Sequence, residues 1–430
     1  MLEDNIDVER IERRLDAIWE IGKTSDGGVT RLAYTEEETA AIEYVLDEVD
    51  DSLSVRTDSI GNVFVTPDPD AERSFFLGSH LDTVFNGGRL DGALGVLTAL
   101  EAIEAIGAAT EEPPVPPTLT IFRGEESSRF GQHTVGSRGA LGLLTVEEFS
   151  AVDDQNVPLW QAIQQAGFRP DNLAEPTIDL DRVGGFLELH IEQGRVLDET
   201  GEDTGIVSSI RAPVRYEVRV EGDDDHSGAT PMDMRRDAVT AAADMIVDIE
   251  QFARKKAAGG DLVATVGDVT AHQGAINKVC GTVTFPLDIR SNDVAYRDSA
   301  EETIVSMLEE TAARRDVDLE LELLDRSQPV ELDDAIIDLL DDIAASLDAA
   351  HRVMPSGGGH DAMNFQHVGV PAGMVFVPSI DGISHSPREQ TTERAIQAGT
   401  AMLARALLRG PPGTTADTSR VHGDPTPDSA

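Results

Sequence analysis

The sequence predicts an α/β protein with a mostly parallel sheet flanked by helices, interrupted by an inserted α+β domain. Three observations carry this. Apolar strand-like runs alternate with helical periods before and after the middle of the chain. Residues 210–326 follow their own order, strand-helix-strand-strand-helix-strand, the split βαβ plan of a small ferredoxin-like domain. Glycine-punctuated loops rich in His and acids stand on both sides of that segment. The expected division is 1–209 and 327–410 for the α/β domain and 210–326 for the insertion. A disordered tail, 411–430, rich in Pro, Thr, Asp and Ser, completes it.

The elements follow in order. Ile11, Leu15, Ile18 and Trp19 form one helical face between Val8 and Ile21, and Thr35 followed by three acids launches a helix through Val45. Strands are expected over 62–66, 74–78 and 118–122, with a helix over 92–106. In the insertion, strands are expected over 215–220, 262–269, 279–289 and 319–324, and helices over 235–257 and 298–315. The α/β domain resumes with a helix over 335–347 and a strand over 374–377.

Charge is the extreme feature of the composition. Acids outnumber bases 80 to 34, for a formal net charge of −46, and only four residues are lysine. Such a surface repels itself at low salt and is screened in molar salt, where the Debye length is about 3 Å. This reads as adaptation to a salty cytoplasm. With no basic stripe to neutralise phosphates, nucleic-acid binding is not expected. Cys280 is the single cysteine, which excludes an intrachain disulfide and suits a reducing compartment. The acidic N-terminus lacks an apolar signal region and no apolar run is long enough to span a bilayer, so a cytoplasmic protein away from membranes is expected.

Five potential metal ligands occur in the order His80, Asp91, Glu126, His190, His385, each in a stretch that reads as a strand end. Ligands gather beyond the carboxyl ends of strands in open α/β sheets. Imidazole and carboxylate donors without thiolates suit zinc, manganese or cobalt. Glu125 and Glu126 are adjacent, so one can face a metal while the other faces a water and moves its proton. In a chain this acidic, a Glu-Glu pair alone carries no weight; its place between the His80/Asp91 block and His190 supplies it. Glu188, His190 and Glu192 share one face of a strand, which calls for a nearby cation. By itself His226 reads as a loop histidine of the insertion.

Three motifs together resemble the amidase, hydantoinase and carbamoylase branch of the two-metal zinc peptidases. They are Gly-Ser-His-Leu-Asp-Thr-Val at 78–84, His-Ile-Glu-Gln-Gly at 190–194 and Ser-Gly-Gly-Gly-His-Asp-Ala at 356–362. That branch includes N-carbamoyl-L-amino-acid hydrolases, β-ureidopropionases and allantoate amidohydrolases, and the resemblance runs over nearly the whole chain. It implies a metallopeptidase-type catalytic domain with two divalent ions, zinc first and manganese, cobalt or nickel as alternatives. Asp91 would bridge them, with His80 and His190 on one ion and Glu126 and His385 on the other. Glu125 would be the general base, and Asp82 would orient the His80 imidazole.

The same resemblance implies that the insertion is a dimerisation lid, whose His226 reaches the other subunit of a homodimer and stabilises the oxyanion. Gln193, Asn277, Arg290, Gly359 and His360, together with His226, would hold the substrate, Arg290 by its carboxylate. Peptide-cleaving relatives usually carry a carboxylate in place of His190, so His190 with Gln193 points to cleavage of an N-carbamoyl amino acid. The alternatives are an allantoate amidohydrolase, an aminoacylase or dipeptidase, and a catalytically silent ureido-acid binder. Departures from the branch's usual pattern include Ser127-Ser128 after Glu126, Ser227 after His226, and Lys278-Val279-Cys280 after Asn277.

Overall fold

The structure is a computed structural model that describes residues 2–170 and 175–413. The described residues divide into two compact units, one built from those of 2–208 and 331–413 and the other from residues 209–330. Of the expected tail, 414–430 lie outside the described residues. Its first residue, Pro411, is buried and lies so close to Gly184 that a Cβ there would be 2.8 Å from the Pro411 ring.

The first unit is organised by a nine-stranded sheet. The path runs Ser54–Thr57, Val63–Thr66, Pro117–Phe122, Ser74–His80, Val183–Ile191, Ala372–Val377, Thr204–Ile210, Val330–Glu331, and His351–Ser356 pairs with Thr204–Ile210. The sequence predicts a mostly parallel sheet; the sheet is mixed. Its centre, Pro117–Phe122 to Ala372–Val377, is parallel, while the pairings Ser54–Thr57/Val63–Thr66, Val63–Thr66/Pro117–Phe122 and Thr204–Ile210/Ala372–Val377 are antiparallel. Apolar runs mark strands but not their direction, which the connections set. The four central strands are buried along their whole length, as a sheet covered on both faces requires.

The helix Ala93–Ala109 is buried on nearly every side because its apolar residues run all round it. Its acids are met from the N-terminal helix Val8–Trp19: Arg10 binds Glu101 through Nε and Nη2 at 2.8 Å each, and Arg14 binds Glu104 at 2.8 and 2.9 Å. Glu101 is fully buried, so removing Arg10 would take the bidentate partner from a buried carboxylate, which is far costlier than the net gain from the pair.

The second unit is a five-stranded antiparallel sheet under two helices, Ala238–Ala257 and Val294–Arg315. Its order is Thr270–His272, Thr282–Ser291, Ala212–Glu221, Asp318–Arg326, with Val263–Thr265 paired to Thr282–Ser291. The strand expected over 262–269 is thus shortened to Val263–Thr265, and Thr270–His272 forms a further strand beyond the expected range. The strand expected over 279–289 begins at Thr282, and Lys278–Val279 pairs instead with Asp225–His226.

Candidate metal centre

Four parallel strands end together and bring the donors with them. His80 is the last residue of Ser74–His80 and His190 the penultimate residue of Val183–Ile191. Glu125 and Glu126 follow Pro117–Phe122, and His385 lies in the loop after Ala372–Val377. Asp91 precedes the helix Ala93–Ala109, whose first cap is Gly92 at φ +66°. A Cβ at Gly92 would stand 2.4 Å from the His80 ring, so both the backbone conformation and the space require glycine.

The ligand atoms form two groups that share Asp91: His80, Asp91 and His190, and Asp91, Glu126 and His385, each within 4.8 Å of one another. Asp91 Oδ1 lies 3.1 Å from His190 Nε2 and 3.7 Å from His80 Nε2, and Oδ2 lies 3.5 Å from His385 Nε2. The His190 Nδ1 faces the Ile191 carbonyl at 2.9 Å and the His80 Nδ1 the Asp82 carbonyl at 3.1 Å. With the proton on Nδ1, each ring turns the Nε2 lone pair inward.

Glu125 and Glu126 part as neighbours in a loop do. Glu125 Oε2 approaches His80 Nε2 at 3.7 Å, and Glu126 Oε1 approaches His385 Nε2 at 3.4 Å. Asp82 holds both: its Oδ1 accepts from the Glu125 N–H at 3.0 Å and its Oδ2 from the Glu126 N–H at 2.9 Å. Oδ1 is also 3.4 Å from His80 Nδ1. Asp82 therefore fixes a backbone turn as well as a ring, a role the sequence does not disclose.

The field of the cluster calls for positive charge. Burial disfavours the Asp91 carboxylate, yet His190, His80 and His385 outweigh it and hold Asp91 well below the usual carboxylate range. Burial opposes the charged His80, but Glu125, Asp82 and Asp91 push it well above the ordinary imidazole value. His385 is pushed up to about 9, chiefly by Glu126. Burial first, and then Glu126, Asp361 and Asp82, raise Glu125 well above a usual glutamate despite His80. His80 Nε2 and Glu126 Oε1 are buried without a hydrogen-bond partner among the described residues. Two half-sites of imidazole and carboxylate, with inward atoms left unpartnered, fit divalent cations.

Other predicted residues divide. Gln193 joins the cluster: its Nε2 donates to Asp91 Oδ2 at 2.8 Å, from a backbone held at φ +59°. His360 is buried beside the His190 ring, 4.6 Å between centroids, and its Nε2 meets Ser356 Oγ at 3.0 Å. Burial, then His190, keeps its pKa well below normal. Gly359 adjoins Met363 and His133. The acids flanking His190 find protein partners: Glu188 accepts from Ser79 Oγ and the Ala362 N–H, and Glu192 caps the helix Val196–Thr200 through the N–H groups of Val196 and Leu197. No cation is needed to explain them.

His226, Asn277 and Arg290 belong to the second unit. His226 and Asn277 are exposed and adjacent, the Ser227 N–H donating to the Asn277 carbonyl at 3.0 Å. Arg290 is engaged within its own strand, Nε and Nη2 donating to the two oxygens of Asp288 at 2.8 and 2.9 Å. Cys280 is buried, its thiol directed at the carbonyls of His272 and Thr282. Sequence reasoning overlooked Ser384, whose Oγ donates to Asp91 Oδ2 at 3.1 Å, and Glu389, which binds the Leu90 and Asp91 N–H groups. The only local signal was their nearness to His385.

The sequence profile of peptidase family M20/M25/M40 matches residues 76–409. An N-carbamoyl-L-amino acid amidohydrolase of Geobacillus stearothermophilus is 37% identical over 402 residues, covering 92% of this chain and 96% of the relative. An allantoate amidohydrolase of Bacillus subtilis is 33% identical over 396 residues, covering 90% and 94%. The crystal structure of an amidase of the hydantoinase/carbamoylase family from Burkholderia multivorans is similar at a TM-score of 0.86 and 31% identity, covering 95% of this chain and 99% of that one. Among the described residues, no helix is long and apolar enough to cross a membrane.

Proposed function

Because the chain belongs to peptidase family M20/M25/M40, we propose that it is a metal-dependent amidohydrolase cleaving the linear C–N bond of an N-carbamoyl amino acid. The products are the amino acid, carbon dioxide and ammonia. The observation that carries the reading is Asp91, whose two oxygens face different histidine sets with Glu125 alongside. His80, His190 and Asp91 would hold one cation and Asp91, Glu126 and His385 the second, with zinc the first choice and manganese, cobalt or nickel the alternatives. Bound there, such cations lower the pKa of a water and polarise a carbonyl oxygen.

Glu125 takes the proton of the attacking water and passes it to the departing nitrogen. Its burial beside His80 suits a group that must hold that proton between the two transfers. Asp82 keeps Glu125 aimed through its backbone. Gln193, Asn277, Arg290, Gly359 and His360 hold the substrate, with Arg290 on its carboxylate, shared with Asp288. The second unit serves as the lid and dimer contact, and His226 of the partner subunit donates to the oxyanion. Support for that role is the exposure of His226 among Met232, Met234 and Ile276, large apolar residues 77%, 70% and 103% exposed. The charge of −46 suits work in concentrated salt.

Allantoate is the second substrate to test, since the relative named for it is 33% identical over most of both chains. An aminoacylase or dipeptidase fits His190 and Gln193 less well, and a silent ureido-acid binder has no need of Glu125. The test is turnover in molar salt with added zinc, manganese or cobalt, on N-carbamoyl-L-amino acids, N-carbamoyl-β-alanine, allantoate and N-acetyl amino acids. Ammonia is followed for the ureido substrates and freed amine for the acetyl ones. Ammonia release abolished by chelator is the expected result; cleavage of acetyl substrates alone would replace the carbamoylase reading with an aminoacylase.

A further inference from the structure

Glu389 is 4% exposed and accepts no Lys or Arg ion pair among the described residues, an uncommon state for a carboxylate. Its Oε2 instead accepts the N–H groups of Leu90 and Asp91 at 3.1 and 3.2 Å, from residues 299 and 298 positions away in the chain. Glu389 lies four residues past His385, returned by a turn in which its N–H donates to the Ser386 carbonyl at 3.1 Å with Pro387 at the second position. The His385 N–H is also directed at its carboxylate. A Cβ at Gly88 would stand 1.9 Å from Glu389 Oε2, so Gly88 makes the space that the carboxylate fills.

One buried carboxylate thus joins the loop that carries Asp91 to the loop that carries His385, two loops with no covalent proximity. We propose that Glu389 is a positioning residue that sets the Asp91–His385 spacing, and through it the strength of the cation site formed by Asp91, Glu126 and His385. The inference rests on the two-cation reading above. The half-sites share Asp91 but differ in their other ligands: His80 and His190 are held by their own strands, whereas His385 sits in an irregular loop at φ +53°, so the site that includes His385 depends on Glu389 through both of its loops.

The test is zinc titration of the metal-free full chain against a chromophoric chelator, with thermal unfolding in parallel. The wild type is expected to take up two equivalents. Glu389→Gln keeps the shape and loses the charge; it should bind one equivalent about 10- to 100-fold more weakly and the other with a clearly smaller change, since Asp91 is shared. Its less affected equivalent should match the one that His385→Ala retains. Gly88→Ala, which crowds the carboxylate without removing it, should show the same selective loss and covers the case in which Glu389→Gln does not fold. Unchanged affinity at both sites in these variants would overturn the inference and leave the two-cation reading standing. Equal weakening at both sites with a matching fall in Tm would also overturn it, since Glu389 would then be merely structural. A wild type that binds no zinc would overturn the two-cation reading, and this inference with it.

Discussion

Asp82→Asn is the sharpest probe of how the centre is built. The Asp82 side chain is fully buried, and each of its oxygens accepts one backbone N–H, from Glu125 at 3.0 Å and Glu126 at 2.9 Å. An amide keeps one acceptor and turns an NH2 group toward the other N–H, leaving a buried donor facing a donor. An orphaned buried group costs about 1–3 kcal/mol, and loss of charge assistance places this case toward the upper end. For a chain of this size, 2–3 kcal/mol corresponds to a fall in Tm of roughly 2–4 °C. The displaced turn carries Glu126, and the His80 Nδ1 loses a carboxylate at 3.4 Å, so cation affinity should fall about 10- to 100-fold. Thermal unfolding of the metal-free protein and zinc competition measure the two effects separately. A variant with wild-type Tm and wild-type zinc affinity would refute the view that Asp82 clamps the loop.

Other outcomes are expected on the same grounds. Glu125→Gln should lower kcat about 10²- to 10⁴-fold while two cations still bind, as checked by metal analysis of the purified variant; retained turnover would remove Glu125 as the base. Gly92→Ala should cost about 1–2 kcal/mol for the left-handed backbone alone and should also displace the His80 ring, read as weaker binding of one zinc equivalent. His226→Ala should lower kcat about 10²- to 10³-fold with its fold and metal content intact, and near-normal kinetics would contradict its oxyanion role. Raising KCl from 0.1 to 2 M, roughly a four- to fivefold shortening of the screening length, should raise Tm; a flat or falling Tm would count against adaptation to salt.

The donors of the centre were legible because their chemistry is local. His80, His190, Glu125 and Glu126 are named by strand periodicity, by the glycines around them and by their residue types, and the split βαβ order of the second unit follows from alternating hydrophobicity and helical period. The direction of the outer strands was not legible, since an apolar run reads the same in a parallel or an antiparallel pair. Glu188 and Glu192 suggested a cation through their spacing, but Ser79, Ala362 and the helix Val196–Thr200 account for them.

The sequence by itself determined the kinds of ligands, their order, the excess of acid and the two-part organisation, all of which depend on neighbours a few residues apart. Tertiary structure alone decided that Asp82 holds two backbone N–H groups and that Glu389 reaches the Asp91 loop. The Glu389 and Asp82 contacts span 299 and 43 residues. Pairings at such distances are set by which strands lie side by side and where they end, and no local period or residue type in the chain encodes that order.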